Sequence, residues 1–451
     1  MNERRGTVPK PLLANGRGQA LYELLLQLDE SQWWSPDRLA AAQLPQLGQL
    51  IGYASAHSAF YREYLSDIDV ANLSLESFRD IPVLTREMLQ QNKEQIDCAA
   101  VPKVHGSVSE SMTSGSTGTP VKFRTSALTS TVWSAIHMRE HLWHERDTDK
   151  VSASIRWRGE AIGLPPNGVE FENWGSPVSL FYDTARSYYL NSSSDIGEQI
   201  SWLQKVKPSY LMTHPSNLRA LMTHLHVTGE TLQGIIEVRT VGESVDNELR
   251  HQVAEQIDAK LVDFYSSEEL GYIAIACPEH DHYHVQSESL LLEVLREDGS
   301  ACDLNEPGRI VLTSLRNFAT PLIRYAIGDY GELSEPCSCG RGLPVLKTIH
   351  GRVRNMLRRP DGSTSWPNFG FIKFMQVAPI RQFQIVQHSL TEIEFKLVID
   401  QKLTEAQEAE IRAILRERLA HPFNIRLSYH KALSRSAGGK FEDFVSMLPA
   451  R

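Results

Sequence analysis

The chain lacks the features that mark a membrane protein, a nucleic-acid binder or a disulfide-stabilised secreted domain. It has no apolar run approaching the roughly 18 residues of a membrane helix, and polar residues break the leucine-rich stretch at 21–28, which argues against a signal peptide. Acidic residues outnumber basic ones by 55 to 46, and the net charge of −9 argues against binding to nucleic acid or anionic membranes. Cys98 and Cys302 have no evident partners, which gives little evidence for an oxidising compartment. We therefore expect a cytoplasmic protein, and its 451 residues are enough for two domains.

A Walker A loop is also absent, yet residues 111–120 interleave hydroxyl side chains with glycines. Glycines let backbone N–H groups approach an anion closely, and Ser and Thr hydroxyls add donors without bulk. Such a run by itself is more often a flexible loop than a phosphate site. Its interpretation as a phosphate loop therefore depends on motifs elsewhere in the chain.

Four further motifs lie downstream of this run. An apolar run ends in Gly328-Asp329, where a carboxylate at a turn can accept two hydrogen bonds from the vicinal hydroxyls of a ribose. A strand end at 263–271 places an aromatic residue before two carboxylates. A Gly-Arg pair follows at 351–352, and a Ser-Ala-Gly-Gly-Lys segment occupies 436–440.

The spacing of apolar residues predicts alternating strands and helices in the middle of the chain. We predict strands at 210–213, 235–241 and 260–265, and helices at 215–225 and 247–257. Such alternation is typical of βαβ units and a largely parallel sheet, with ligands bound at strand ends. From about residue 353 the pattern changes to strands such as 391–398 followed by a charged helix at 404–420, which predicts a small α+β domain.

The order and spacing of the motifs resemble the adenylate-forming superfamily of acyl-CoA synthetases, and within it the branch of phenylacetate-CoA ligase and CapK-like proteins. The resemblance covers nearly the whole chain and includes the segment at 50–62. It implies an α/β fold with a large N-terminal ATP- and acid-binding domain of largely parallel sheets at 1–351, and a small mobile α+β C-terminal lid domain at 352–451.

The resemblance also implies an activity. A carboxylic acid, aromatic if the branch name is a guide, would react with ATP and Mg²⁺ to give an acyl-adenylate and pyrophosphate, and the acyl group would then pass to a thiol, with CoA as the favoured acceptor. A carrier-protein thiol, an amine acceptor and a non-catalytic nucleotide-binding relative stay open as alternatives, as does a homodimer. Departures from the family pattern at Thr119, Glu268 and Asn355 motivate the non-catalytic alternative.

The family's functional residues can be carried over to matching positions. Lys440 is the implied catalytic lysine, since a mobile ammonium can neutralise the charge that spreads over the phosphoryl oxygens during attack on the α-phosphorus. Glu269 is the implied magnesium ligand and second catalytic residue, although the neighbouring Glu268 leaves room for a swap. The implied ATP-binding residues are Thr113, Ser114, Gly115, Ser116, Thr117, Gly118, Gly242, Glu243, Tyr265 as the adenine-stacking ring, Ser266, Asp329 as the ribose ligand, and Arg352.

A separate group of cysteines and histidines predicts a structural zinc site. Three thiolates and one imidazole complete a tetrahedral zinc site, and some members of the resembled branch carry one in this position. The cysteines are Cys277, Cys337 and Cys339, and His284 suits the family pattern best, with His280 and His282 as alternatives. Reduced thiols beside a solvated histidine cluster are the structural alternative.

Two other groups of residues have weaker interpretations. His137, His141 and His144 recur near helical spacing, which favours a histidine-bearing helix face over a site. A basic group near the lid would suit a carrier protein or the phosphates of CoA equally, and its members are Arg352, Arg354, Arg358 and Arg359. Trp157, Arg158 and His214 are candidates for lining an acid pocket, with core packing or turn formation at least as favoured for each.

Overall fold

The computed structural model describes residues 8–11, 16–113, 120–159, 161–367, 369, 371–433 and 441–449. The chain divides into two compact units. The first unit comprises Met1–Lys150, Phe171–Arg186 and Asp263–Ile349, and the second comprises Val151–Glu170, Ser187–Val262 and His350–Arg451. Within the described ranges, no helix is long and apolar enough to cross a membrane.

Helices and strands follow one another in the order typical of a mixed α/β protein. The α-helices are α1 (Gly16–Ser31), α2 (Pro36–His57), α3 (Ala59–Tyr64), α4 (Leu75–Arg79), α5 (Arg86–Gln91), α6 (Lys93–Ile96), α7 (Ala127–Trp143), α8 (Ile196–Val206), α9 (Pro215–Thr228), α10 (Asn247–Ile257), α11 (Phe371–Val377) and α12 (Glu405–Leu419). The strands are β1 (Val108–Met112), β2 (Lys122–Ser126), β3 (Ser152–Arg156), β4 (Val169–Phe171), β5 (Ser187–Asn191), β6 (Tyr210–Thr213), β7 (Glu237–Val241), β8 (Lys260–Ser267), β9 (Gly271–Ala276), β10 (Tyr283–Val285), β11 (Leu290–Leu295), β12 (Gly308–Ser314), β13 (Tyr325–Ser334), β14 (Val345–Arg352), β15 (Leu357–Arg358), β16 (Thr364–Ser365), β17 (Gln382–Gln387), β18 (Glu392–Val398), β19 (Asn424–His430) and β20 (Phe444–Ser446).

The first unit is built on strands in the order β11-β12-β13-β14-β10-β9-β8. The pairs β8–β9, β9–β10, β10–β14, β11–β12 and β12–β13 are antiparallel. The connections from β8 to β9 and from β9 to β10 are too short for a parallel crossover, which needs a dozen or more residues. The core of this unit joins helices α2 and α3 to the strands, with Leu50, Tyr61 and Tyr325 each fully buried.

The second unit contains the parallel sheet that the sequence predicts. Strands β3, β5, β6 and β7 pair in parallel. Helix α8 connects β5 to β6, α9 connects β6 to β7, and α10 leads from β7 to β8. The predicted strand at 210–213 and helix at 247–257 are confirmed with their bounds. The predicted strand at 235–241 begins two residues later, at Glu237. The parallel sheet thus belongs to this unit, whereas the five strand pairs of the first unit given above are antiparallel.

Residues 357–444 of the second unit have a hydrophobic core of their own. Four strands in the order β19-β18-β17-β20 pack with α11 and α12 around Phe374, Phe395 and Leu415, all fully buried. Helix α12 begins after a capping box in which Thr404 and Gln407 bond reciprocally. This α+β arrangement confirms the change of pattern in the sequence, while the domain boundary at 351/352 stays a prediction.

Candidate active site

Backbone and side-chain hydrogen bonds of Thr113 close the base of the predicted phosphate loop. The Thr113 N–H donates to the Val121 carbonyl at 2.9 Å, and the Val121 N–H donates to Thr113 Oγ1 at 3.0 Å. This bonding continues the β1–β2 hairpin beyond the two strands. The other predicted loop residues, Ser114, Gly115, Ser116, Thr117 and Gly118, lie outside the described residues.

The side chain of Arg86, which our sequence analysis missed, contacts Thr113 at the start of the predicted phosphate loop. Arg86 is the first residue of α5, whose N-cap is Thr85, and its Nη2 donates to Thr113 Oγ1 at 3.1 Å. Arg86 also interacts with the Tyr325 hydroxyl, whose pKa is raised chiefly by burial and further by the Glu269 carboxylate. An isolated arginine 27 residues upstream of Thr113 carries no motif, so only the fold could reveal it.

The residues implied for adenine and ribose are in direct contact. Tyr265 Oη on β8 donates to Asp329 Oδ2 on β13 at 2.6 Å. The pairing of β12 with β13 shifts register between Arg309 and Val311, which leaves extra residues of β13 in a bulge around Gly328. Gly328 has a φ of 92°, which a side chain rarely adopts, so glycine is required here for the bulge that presents Asp329.

The two neighbouring glutamates of the predicted magnesium motif differ in solvent exposure. Glu269 is 3% exposed, and its Oε1 accepts from the Tyr325 hydroxyl at 3.4 Å, whereas Glu268 is exposed. Ser266, the remaining candidate here, lies on β8 and is half-buried. A carboxylate oxygen is the ligand type that Mg²⁺ uses in nucleotide sites, so Glu269 fits this ion.

In the second unit, Gly242 and Glu243 follow β7. Gly242 has a φ of 84°, and the Glu243 carboxylate accepts from Ser216 N at 2.7 Å and Ser216 Oγ at 3.0 Å, at the start of α9. The same carboxylate accepts from the Phe441 backbone N–H at 2.8 Å. His214, one of the acid-pocket candidates, lies at the N-cap of α9 with Nδ1 2.8 Å from the Val241 carbonyl oxygen.

The predicted basic group and Asn355 lie in the third segment of the second unit, His350–Arg451. Arg352 ends β14, and Arg354 Nε donates to Glu442 Oε1 at 2.9 Å. Asn355 donates to Glu442 Oε1 at 3.3 Å and to the Phe444 carbonyl at 2.7 Å. Arg358 and Arg359 donate to the carbonyls of Pro449 and Leu419. Lys440 lies outside the described residues.

The cysteines of the predicted zinc site converge with one histidine in the first unit. The ligand atoms of Cys277, His284, Cys337 and Cys339 all lie within 4.8 Å of one another. The Sγ atoms of Cys277 and Cys337 are 3.9 Å apart, and Cys339 Sγ is 3.4 Å from His284 Nε2.

Of the three candidate histidines, His284 alone joins this cluster among the described residues, whereas the exposed His280 bonds to Ser338 Oγ at 2.9 Å. Hydrogen bonding from the Cys277 thiol, aided by His284, lowers the pKa of Cys339, and the same Cys277–Cys339 interaction raises the pKa of Cys277. A thiolate beside an imidazole is the donor set that zinc prefers, so the residues fit a structural zinc ion.

Comparison with known proteins gives a family match for part of the chain and a fold match for nearly all of it. Residues 370–446 match the family model of the CapK C-terminal domain. The structure is similar to 2-hydroxyisobutyryl-CoA ligase in complex with R3-HIB-AMP, with a TM-score of 0.70, 17% identity, and coverage of 92% of this chain and 91% of that chain. The chain thus shares the fold of this ligase, and its residues 370–446 are similar to the CapK C-terminal domain.

Two further ligase structures share this fold. Anthranilate CoA ligase AuaEII in complex with anthranoyl-AMP is 13% identical with a TM-score of 0.54, and covers 73% of this chain and 65% of that chain. A benzoate CoA ligase from Burkholderia xenovorans is 14% identical with a TM-score of 0.53, and covers 76% and 69% respectively. A search of curated proteins by sequence found no match.

Proposed function

We propose that this CapK-like protein activates a carboxylic acid with ATP, forming an acyl-adenylate and pyrophosphate, and then transfers the acyl group to the thiol of CoA. The observation that carries the proposal is the 2.6 Å hydrogen bond between Tyr265 and Asp329. It joins the aromatic ring implied for adenine to the carboxylate implied for ribose, although 64 residues separate them in the chain. Vicinal hydroxyls of a ribose would bond to the Asp329 carboxylate.

The triphosphate would be bound by the loop at 114–118. Thr113 bonds with Val121 and so joins the two ends of this loop. Arg86 contacts Thr113, so its guanidinium supports the binding of anionic phosphate oxygens there. Glu269 would hold the magnesium ion, which neutralises phosphate charge when bound. Ser266 on β8 is a further proposed nucleotide-binding residue of the first unit. In the second unit, Gly242, Glu243 and Arg352 are proposed to bind ATP because the family resemblance implies it.

In the first half-reaction, a carboxylate oxygen of the acid forms a bond to the α-phosphorus while the bond from that phosphorus to the pyrophosphate oxygen breaks. Lys440 is the proposed catalytic residue, because an ammonium near the phosphoryl oxygens stabilises the charge that develops on them. In the second half-reaction, the CoA thiolate attacks the acyl carbonyl carbon and AMP leaves. We propose residues 352–451 as the mobile lid that carries Lys440.

The Cys277, His284, Cys337 and Cys339 group would hold a structural zinc ion. With four protein ligands the coordination sphere is closed, so the ion would tie the β9–β10 hairpin to the turn at 337–339 and take no part in the reaction.

CoA is the acceptor we favour, since 2-hydroxyisobutyryl-CoA ligase, anthranilate CoA ligase and benzoate CoA ligase share the fold.

The proposal is tested by measuring pyrophosphate release from ATP and Mg²⁺ across a panel of aryl, hydroxy, fatty and amino acids, first without and then with CoA. Acid-dependent release with thioester formation is the expected result. Lys440→Ala should lower ATP–pyrophosphate exchange by about 10²- to 10³-fold while ATP still binds. Lys373→Ala, a change of an exposed lysine on α11, is the matched control. Exchange that persists in Lys440→Ala would contradict the assigned role.

A further inference from the structure

A second cluster of metal-binding side chains lies on helix α7, away from the cysteines in sequence. His137, Glu140 and His141 are spaced at i, i+3 and i+4, which places them on one face of the helix. Two imidazole nitrogens and one carboxylate oxygen of these residues lie within 4.8 Å of one another. The reaction proposed above uses none of them.

The distance between the two imidazoles suits a shared metal ion. His137 Nε2 and His141 Nε2 are 3.1 Å apart. Two zinc–nitrogen bonds of about 2.0–2.1 Å at a tetrahedral angle hold their nitrogens about 3.3 Å apart. A hydrogen bond between two neutral imidazoles would give a similar distance, so the zinc measurements described below distinguish the two.

The third group of this cluster is a buried carboxylate whose orientation is fixed. Glu140 is fully buried, and Arg146 Nη2 donates to its Oε1 at 2.5 Å and Arg146 Nη1 donates to its backbone carbonyl at 3.3 Å. Arg146 supplies the counter-charge that a buried carboxylate needs, so Glu140 stays ionised, as a metal ligand must be. Outer-shell hydrogen bonds of this kind orient carboxylate ligands in metal sites.

The rings beside the cluster hold the two imidazoles in place. The His137 ring lies 5.7 Å from the Tyr272 ring, and the His141 ring lies 5.7 Å from the Trp174 ring, measured between centroids. Arg139 anchors the same helix through Glu288 Oε1 at 2.7 Å, so α7 is fixed within the first unit. His141 is 7% exposed, whereas His137 is half-buried, which leaves one side of the cluster open to solvent.

We propose that His137, Glu140 and His141 form a second divalent-metal site, which binds Zn²⁺ through two imidazole nitrogens and one carboxylate oxygen. Nitrogen and oxygen donors without thiolates suit zinc, and cobalt is its spectroscopic substitute. The fourth position would take an oxygen ligand, either water or the carboxylate of a small molecule, because three protein ligands leave a tetrahedral site open. This site is independent of the proposed adenylation activity.

The test is the zinc content of the full-length chain after equilibration with buffered free zinc and removal of the excess. The wild type should hold about two equivalents, one in each cluster. His137→Gln and His141→Gln should each lose one equivalent, since an amide retains hydrogen bonding but is a poor zinc ligand. His144→Gln, at the C-cap of the same helix, is the matched control and should keep both.

Cobalt substitution distinguishes the two sites without relying on activity. The cysteine cluster should give thiolate-to-cobalt charge-transfer absorption, which Cys339→Ser removes. The helix α7 cluster should then still give ligand-field bands that lack charge transfer, and His137→Gln should abolish them. Zinc retained in the cysteine cluster of His137→Gln would show that this variant is folded.

Two results would overturn the proposal. One is a wild-type chain that takes up a single equivalent of zinc, all of it lost in Cys339→Ser. The other is a His137→Gln or His141→Gln variant that binds as much zinc as the wild type with unchanged affinity. Either result would assign the 3.1 Å contact to a hydrogen bond between two imidazoles.

Discussion

The carboxylate of Glu243 accepts a hydrogen bond from the backbone N–H of Phe441, the residue that follows Lys440 in the chain. The same carboxylate accepts two hydrogen bonds from Ser216 at the start of α9, where a negative charge is favoured by the helix dipole. Glu243 therefore holds Phe441, which directly follows the proposed catalytic lysine in sequence, and we infer that Glu243 is a positioning residue.

Glu243→Ala should lower kcat for adenylate formation by about 10- to 100-fold, because a hydrogen bond to a charged group contributes about 1.5–3 kcal/mol. Glu243→Gln should recover part of this loss, since its amide oxygen can still accept. ATP–pyrophosphate exchange measured at saturating ATP separates kcat from KM. Glu255→Gln, an exposed change on α10, is the control. A purely structural role would lower the melting temperature and leave kcat of the folded fraction unchanged.

Asp329→Ala should weaken ATP binding by roughly 10- to 100-fold, since the ribose hydroxyls lose a charged acceptor worth about 1.5–3 kcal/mol. Tyr265→Phe keeps the aromatic face and removes the bond to Asp329, so it should weaken ATP binding by about tenfold or less. Titration calorimetry with ATP measures both variants. If Asp329→Ala bound ATP as tightly as the wild type, the ribose assignment would be wrong.

Arg86→Met should raise the KM for ATP by about tenfold, because the side chain keeps its bulk but loses the charge beside Thr113. The melting temperature should change little, since Arg86 is only half-buried. Arg38→Met removes an exposed arginine from α2 and serves as the control. An unchanged KM in Arg86→Met would mean that this guanidinium supports the loop base without acting on the nucleotide.

Cys339→Ser should remove the zinc ion from the cysteine cluster and lower the free energy of unfolding by about 2–5 kcal/mol, on the scale of losing a covalent cross-link. Chelator treatment of the wild type should have the same effect, measured by thermal unfolding alongside elemental analysis. Cys302→Ser lies outside the cluster and should change neither quantity. Equal stability of metal-free and metal-loaded chains would contradict a structural zinc ion.

The Glu288–Arg139 ion pair should make stability depend on acid pH. Burial alone would raise the pKa of Glu288, but the charge and hydrogen bonds of Arg139 hold it below its ordinary value of 4.5. A carboxyl with a lowered folded-state pKa contributes stability above pH 4.5, and this contribution is lost as the pH falls through the folded-state pKa. Glu288→Gln should therefore have a lower melting temperature than the wild type at pH 7. The difference should shrink below pH 4.5, and a constant difference would rule out this origin.

Local signals in the sequence were sufficient to predict the bounds of several helices and strands. Helix α10 and strand β6 have the predicted bounds, and the predicted helix at 404–420 has Thr404 and Ala420 as its caps, because periodicity and capping depend on near neighbours. The antiparallel sheet of the first unit was not predicted, since pairing of strands such as β10 with β14 depends on contacts between residues far apart in sequence.

The sequence by itself determined the motif order, the change to an α+β pattern after residue 353, and the three cysteines of the proposed zinc site. Only the tertiary structure decided that His284 joins these cysteines, that Glu269 is buried while Glu268 is exposed, and that Arg86 reaches Thr113. The physical reason is that a motif records which chemical groups are present. Burial and distance depend on how strands and helices distant in the chain pack against one another.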